Sequence, residues 1–340
     1  MDDNALSGAV PPSTPSSILN FEFRGNGLEY FKIWIVNILL TILTLGVYSA
    51  WATVRNNRYF YSNLYLGEEN FRYLAEPLQI LKSRLIAIAA FIVYSLISQR
   101  YPMVAIGLVV ALIFAIPYFI NQSLAFHRRM SAYKNVQFRF KAGYGEAFMA
   151  LYIWPLIGIL TVGILYPLAL LKMHQYVVRN SAYGTTKFEF TATFKDYGMV
   201  FLIMLGVAIM FGLPAWGIAA FFNEAAFISP IIFVGLYIGL FLYFMVQINN
   251  LFFGCLALEQ HRFSANLTMM GLGKVILING LLTVLTLGFY LPAAKVRMAK
   301  YFASCLVMDA QGSLDNFAAA EQDNVSALGD EMGQVFDFAL

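Results

Sequence analysis

Two periodicities alternate along the chain. Long apolar runs fall near residues 30 to 52, 85 to 99, 103 to 126, 147 to 171, 198 to 222, 227 to 257 and 272 to 294, and they predict membrane-embedded helices or helical hairpins. Before five of them lies a short aromatic segment with a polar residue at its centre: Phe21-Glu-Phe23, Phe71-Arg-Tyr73, Phe138-Arg-Phe140, Phe188-Glu-Phe190 and, in weaker form, Phe263-Ser-Ala265. Aromatics at i and i+2 follow period two, so each segment predicts a brief strand or an extended linker at the membrane surface.

One run repeats. The stretch from Asn37 to Phe60 returns without a gap 242 residues later, as Asn279, Thr283, Thr286-Leu-Gly-Phe-Tyr290, Ala294, Val296-Arg297 and Lys300-Tyr-Phe302. A fainter copy 117 residues on keeps Thr161-Val-Gly163, Lys172 and Tyr176, and the same offset carries Asn63 onto Asn180, Gly67 onto Gly184 and Phe71 onto Phe188. One register relating several features marks an internal repeat. From Tyr30 to Thr44 the run holds fifteen residues, roughly 22 Å of helix, which is short of the roughly 30 Å hydrocarbon core. Glycine accepts a left-handed backbone without steric cost, so Gly46, Gly163 and Gly288 are the expected turns of hairpins that enter and leave by one face.

Charge decides between hairpins and spans. Seven simple crossings divide the 22 Lys and Arg residues 9 to 13, whereas four plain spans with three returning hairpins divide them 21 to 1, Arg100 being the exception. Because cytoplasmic loops collect basic residues, the second arrangement is expected, with both termini in the cytoplasm. The expected fold class is all-α: a polytopic helical membrane bundle of two units, each a broken or re-entrant hairpin plus two spanning helices, closed by a third broken hairpin. The expected boundaries are a disordered leader over 1–20, units over 21–137 and 138–262, the final hairpin over 263–308 and an acidic cytoplasmic tail over 309–340.

Composition agrees with a membrane protein. Sixty per cent of the 340 residues are hydrophobic and 12% are charged, far from the averages of soluble domains. The net charge of +3 hides an asymmetry: all seven acidic residues beyond residue 300 lie in the tail, leaving the first 300 residues at +10. External loops are expected at Ser98-Gln-Arg-Tyr-Pro102 and Asn223-Glu-Ala-Ala226, and a short amphipathic helix is expected in the tail beyond Val325.

Candidate chemistry is sparse. Asn37 and Asn279 lie one helical turn before Thr41 and Thr283, with Thr44 and Thr286 at the turns, so these six side chains form a candidate polar pathway. The plainer reading makes them helix-to-helix hydrogen-bonding glue. Arg55, Arg58, Lys172, Arg297 and Lys300 recur after the turns and form a candidate basic ring for an anion or a lipid headgroup, or else interfacial anchors. Asn121, Gln122, Gln247, Asn249 and Asn250 read as polar helix ends. His127, His174 and His261 share no metal spacing, and Cys255 and Cys305 offer no framework. With no catalytic motif, enzymatic activity, a cofactor and a metal are not expected.

The phrase Leu43-Thr-Leu-Gly-Val-Tyr-Ser-Ala-Trp-Ala-Thr-Val-Arg-Asn-Asn-Arg-Tyr-Phe-Tyr61, with Phe21-Glu-Phe-Arg-Gly25 before it and Phe71-Arg-Tyr73 after it, resembles the YjgN family of bacterial inner-membrane proteins. The Thr286-to-Tyr290 echo and the closing Gly329-Asp-Glu331 and Phe336-Asp-Phe338 extend the likeness, while Thr161 to Pro167 departs from it. The resemblance implies localisation and architecture, and no reaction, since the family's biochemical function is unassigned. Broken helices at repeat interfaces are a common way to build a solute site, so passage or binding of a small solute, anionic in view of the basic residues, is the leading expectation, and a lipid-modifying enzyme is a distant third. The alternative is a non-transporting scaffold whose acidic tail holds a cytoplasmic protein. Expected partners are the lipid bilayer, a small solute, and a second copy of the chain or a tail-binding protein; nucleic acid is not expected.

Overall fold

The computed structural model describes residues 16–221, 229–312 and Phe317. Every aromatic triplet lies in a strand, and a second short strand precedes each following triplet. The chain runs β1 (Ser16–Phe23), α1 (Gly27–Leu43), α2 (Ser49–Ser62), β2 (Leu64–Leu66), β3 (Glu69–Tyr73), α3 (Pro77–Arg100) and α4 (Pro102–Arg129). It continues with β4 (Ser131–Tyr133), β5 (Val136–Phe140), α5 (Tyr144–Phe148), a π-helical turn (Met149–Ile153), α6 (Trp154–Leu160), α7 (Tyr166–Arg179), β6 (Ser181–Tyr183) and β7 (Thr186–Phe190). The last part holds α8 (Phe194–Phe221), α9 (Ser229–Gly254), β8 (Leu256–Leu258), β9 (His261–Ala265), α10 (Met269–Leu285), α11 (Leu291–Cys305) and β10 (Leu306–Gln311).

The all-α expectation is overturned: among the described residues ten strands close into an antiparallel barrel, each paired with its neighbours in sequence and β10 paired with β1. The helical pairs are insertions between successive strands. The unit is therefore strand, helical hairpin, strand, repeated five times, and not two larger units with a remnant. The 117-residue offset joins the first unit to the third, and the 242-residue offset joins it to the fifth. Strand β1 takes in residues 16–20, which the sequence reading assigned to the leader. Strand β10 likewise takes in residues 309–311, assigned to the tail, whose remainder apart from Gly312 and Phe317 lies outside the described residues, as does the second external loop.

Period two explains the barrel wall. Phe21, Phe71, Phe138, Phe188 and Phe263 stand opposite Leu66, Tyr133, Tyr183, Leu258 and Met308 in one register. The residue after each phenylalanine, Glu22, Arg72, Arg139, Glu189 or Ser264, is exposed on the outside. Two-residue hairpins link the strands at the far end, with left-handed Gly67, Lys134, Asn135, Gly184 and Glu259 supplying the reversals.

In an antiparallel ring, odd strands all run one way and even strands return. All five helical hairpins therefore leave from one rim. Each returns to the side it left, which is the arrangement the charge count favours. Four helices among the described residues are long and apolar enough to cross a membrane: α3, α4, α9 and, over Phe194–Ile218 of its length, α8. They make up the second and fourth hairpins. The first, third and fifth are shorter and turn at Gly46, Gly163 and Gly288, whose φ values are 93°, 86° and 93°.

The three short hairpins end in the same tip. Leu45, Val162 and Leu287 at these tips are 96%, 92% and 90% exposed, and an apolar tip so exposed belongs in hydrocarbon, where an unpaired amide costs several kcal/mol. The tip meets that demand within itself. From Thr44 to Ser49 every N–H is bonded: to Leu40, Ile42, Thr41, Thr44 and Gly46 carbonyls and, from Tyr48, to Thr44 Oγ1 at 2.9 Å. The same six-bond set recurs from Thr161 to Tyr166 and from Thr286 to Leu291. Each threonine hydroxyl also donates to the carbonyl four residues back, at 2.7, 2.8 and 2.7 Å.

Between the third and fourth hairpins, His174 of α7 bonds the Tyr197 hydroxyl through Nδ1 and packs edge-on against Phe190 and Phe252, at centroid distances of 6.3 and 5.0 Å. Burial lowers its pKa from 6.5 to about 4, so the folded imidazole is neutral where the unfolded one takes up a proton.

Two outcomes follow. Thr44→Val or Thr286→Val keeps the shape but strands the tip amide, and each is expected to lower stability by about 1–3 kcal/mol in thermal unfolding of the detergent-purified protein, with Thr44→Ser close to native. An unchanged midpoint in the valine variants would mean that the tip amides have other partners. The His174 contribution is full above about pH 6.5 and is lost as pH falls toward 4. Melting curves of His174→Gln should therefore show a shallower acid decline than wild type across that window.

Candidate functional site

The barrel encloses an apolar lumen. A cavity of 270 Å³ lies among Phe21, Phe71, Phe138, Phe188, Leu258 and Met308, and it reaches Leu64, Leu256 and Leu306 at the helix-side rim and Phe253 at the end of α9. The phenylalanines form a staircase with centroid spacings of 6.3, 6.4, 6.4 and 6.4 Å from Phe21 to Phe263. Tyr133 and Tyr183 contribute their ring faces, because their hydroxyls donate to the Leu66 and Tyr133 carbonyls at 2.8 and 2.9 Å. Every lining side chain is aliphatic, aromatic or a thioether.

At the hairpin-turn end, Phe317 packs on Tyr183 and His261, with centroid distances of 5.5 Å to each. His261 Nδ1 accepts the Gln311 N–H at 3.2 Å, and burial lowers the pKa of its imidazole from the ordinary value. Phe317 thus packs at one mouth of the barrel.

The candidate polar pathway does not assemble. Asn37 is buried within the first hairpin, where Nδ2 donates to Asn56 Oδ1 of α2 at 2.9 Å and Thr41 Oγ1 donates to the Asn37 carbonyl at 2.6 Å. Asn279 is buried within the fifth, with Nδ2 donating to the Ala294 carbonyl of α11 at 3.1 Å. Thr44 and Thr286 serve the tips, and Thr283 offers its carbonyl to the Gly288 amide. Each asparagine therefore binds the two arms of its own hairpin, as glue. The Oδ1 atoms of both are buried with no hydrogen-bond partner, a cost of about 1–3 kcal/mol each.

The basic residues also fall on separate hairpins. Arg55 and Arg58 lie on α2, Lys172 on α7, and Arg297 and Lys300 on α11. Arg58 donates to the Ala75 carbonyl at 3.1 Å, Lys172 Nζ lies 5.6 Å from the Trp154 ring centroid, and the Arg297 guanidinium lies 5.5 Å from that of Tyr290. Arg58 thus reaches the neighbouring hairpin, while Lys172 and Arg297 act within their own. Two of the helix-end amides are latches: Asn121 Nδ2 reaches the Ala142 and Gly143 carbonyls at 3.3 and 3.2 Å, and Asn250 exchanges two bonds with Leu267 at 3.0 and 2.9 Å, while Asn249 bonds the Met245 carbonyl of its own helix. Among the described residues no group of three His, Cys, Asp or Glu side chains is arranged as metal donors.

The lumen was not foreseen, although its signal was present. Met130-Ser-Ala-Tyr133 and Asn180-Ser-Ala-Tyr183 stand before similar turns and aromatic triplets, which is the pattern of a strand entering a tight hairpin.

Comparison with known proteins places the chain in a family. A family model described as a bacterial protein of unknown function, DUF898, matches residues 18–335. Among curated relatives, the inner membrane protein YjgN of Salmonella typhimurium is 34% identical over 136 residues, covering 40% of this chain and 34% of its own length. The proteins of the same name from Escherichia coli O157:H7 and K12 are 26% and 27% identical, covering 46% and 43% of this chain and 39% and 37% of their own lengths. The matched stretches thus span little more than a third of those relatives. No solved structure matches. Since the family model matches almost the whole chain, the protein belongs to the DUF898 family, in which the resemblance to the YjgN inner-membrane proteins is borne out.

Proposed function

We propose that this protein is a membrane-embedded binding protein for the alkyl chain of an inner-leaflet amphiphile, with the barrel on the cytoplasmic side and the helical hairpins in the bilayer. The observation that carries the reading is the 270 Å³ lumen with its wholly apolar lining, reaching the rim from which the hairpins rise. At ~30 Å³ per small group it accommodates roughly nine methylenes. A site with no donors, acceptors or charges favours hydrocarbon, and the aromatic staircase provides the dispersion contacts.

Passage of a small anionic solute is the less favoured reading. It requires a continuous polar path, and the asparagines and threonines expected to line one are engaged inside separate hairpins. A scaffold role draws on a different observation, the packing of Phe317 at the barrel mouth. Binding, not catalysis, is the activity proposed.

Photolabelling tests the lumen. Protein in lipid nanodiscs containing phospholipid with a terminal diazirine on its acyl chain is expected to be labelled at Phe71, Phe138, Phe188 and Leu258. Filling the cavity with Leu258→Phe and Met308→Phe should reduce that labelling about fivefold while leaving labelling of the exposed helix faces unchanged. Labels confined to those faces, insensitive to filling in a variant with a native melting midpoint, would refute the reading.

A further inference from the structure

The third hairpin departs from its two short siblings at one position. Nine residues before the turning glycine the first and fifth hairpins carry Asn37 and Asn279, whereas the third carries Trp154. Nine residues after the glycine all three carry a base: Arg55, Lys172 and Arg297. In the third hairpin, then, the amide bridge between arms is replaced by the Lys172 ammonium over the Trp154 ring, at 5.6 Å. The first arm also widens through the π-helical turn Met149–Ile153, a feature often found at functional sites.

Between these arms lies a cavity of 420 Å³ whose walls carry both signs of charge: Glu146 from the first arm, Lys172 and Arg179 from the second, with Met149, Ala150 and Trp154 as apolar surface. Among the described residues no salt bridge joins Glu146 to Lys172 or Arg179. Asn180, which also lines the cavity, donates from Nδ2 to Glu146 Oε2 at 2.9 Å. Lys172 and Arg179 are seven residues apart, so they share a helix face and stand roughly 10 Å apart along it. Lys172 lies toward the tip, and Glu146 and Arg179 lie toward the barrel.

That order along the hairpin, apolar tip, base, then acid with a second base, is the order of groups in a zwitterionic phospholipid. Chains lie deepest, the phosphate next, and the ammonium nearest water. We propose that the third hairpin binds a phosphoethanolamine headgroup, with the phosphate against Lys172 and approached from the barrel side by Arg179, the ammonium against the Glu146 carboxylate, and the glycerol against Trp154, from which the chains run on toward the apolar tip. Charge-assisted hydrogen bonds fix the two poles. This site is separate from the barrel lumen and stands whether or not the lumen takes a chain.

Lipid retention tests it. Protein extracted from bilayers of equal phosphatidylethanolamine and phosphatidylglycerol, then analysed by native mass spectrometry, is expected to retain the former about tenfold over the latter. Glu146→Gln, which keeps the Asn180 contact, should bring that ratio close to one. Lys172→Gln combined with Arg179→Gln should reduce retention of both lipids, and Arg100→Gln at the far end of the second hairpin should change neither. Soluble phosphoethanolamine at micromolar concentration is expected not to displace the lipid. Displacement by it would assign the site to a free solute, and equal retention of the two lipids by wild type and Glu146→Gln would show no headgroup recognition; either overturns the proposal. Native melting midpoints in the variants ensure that a lost preference reports on the site.

Discussion

Pairing of β1 with β10 is the constraint on which the architecture rests. Ser16 to Asn20 pair with Gln311 to Val307, so the two ends of a long chain complete one ring. Without that ladder the strands β2, β4, β6 and β8, three residues each, would form an open sheet with exposed edges and little cooperativity. Closure also orders the membrane part. Because neighbours in the ring are antiparallel, every helical insertion must rise from the same rim and come back to it, whatever its length. Hairpin length is then free to vary, and it alternates between pairs that reach across a bilayer and pairs that stop short.

Stopping short carries a chemical demand that spanning does not. A loop outside the bilayer can leave its amides to water, but a tip inside it must satisfy them internally. The Thr-X-Gly tips do so with two consecutive left-handed residues, Leu45 and Gly46 in the first hairpin, that fold the N–H groups back over the end of the helix. The threonine hydroxyl is both acceptor for the amide four residues on and donor to the carbonyl four residues back. A serine could make the same bonds, but the threonine methyl presents less polar surface to lipid. This explains why the threonine and glycine persist in all three copies while the residue between them is free to be Leu or Val.

How much of this was legible depends on how local each feature is. The turns at Gly46, Gly163 and Gly288 were readable because glycine, threonine and the repeat register coincide within a few residues. The aromatic triplets were readable as extended segments for the same reason. The ring was not, because its partners are remote: Phe71 faces Tyr133 across the whole second hairpin, and three residues such as Ser181-Ala-Tyr183 are too few to display a period. Helical spacing placed Asn37 and Thr41 on one face correctly, yet spacing states only which residues share a face. What stands opposite, Asn56 for Asn37 and the Ala294 carbonyl for Asn279, is set by the angle at which two arms pack, and this turned a presumed pathway into a pair of internal clasps.

Repetition itself separates architecture from chemistry. Recurrent features, the inward phenylalanines of all five units and the tip bonds of the three short hairpins, are what a unit needs in order to join the ring and, where it stops short, to end in lipid. Chemistry belongs where a copy departs while its neighbours hold the frame. Trp154 is such a departure, since replacing the clasping asparagine removes a direct arm-to-arm amide bond and leaves the arms joined by an aromatic face and an ammonium. With the π-helical turn widening the facing arm, the outcome is a gap with charged walls in the one hairpin whose neighbours on both sides are spanning pairs. The long hairpins thereby fix the depth at which that gap meets the lipid headgroups, which a ring of short hairpins alone could not do.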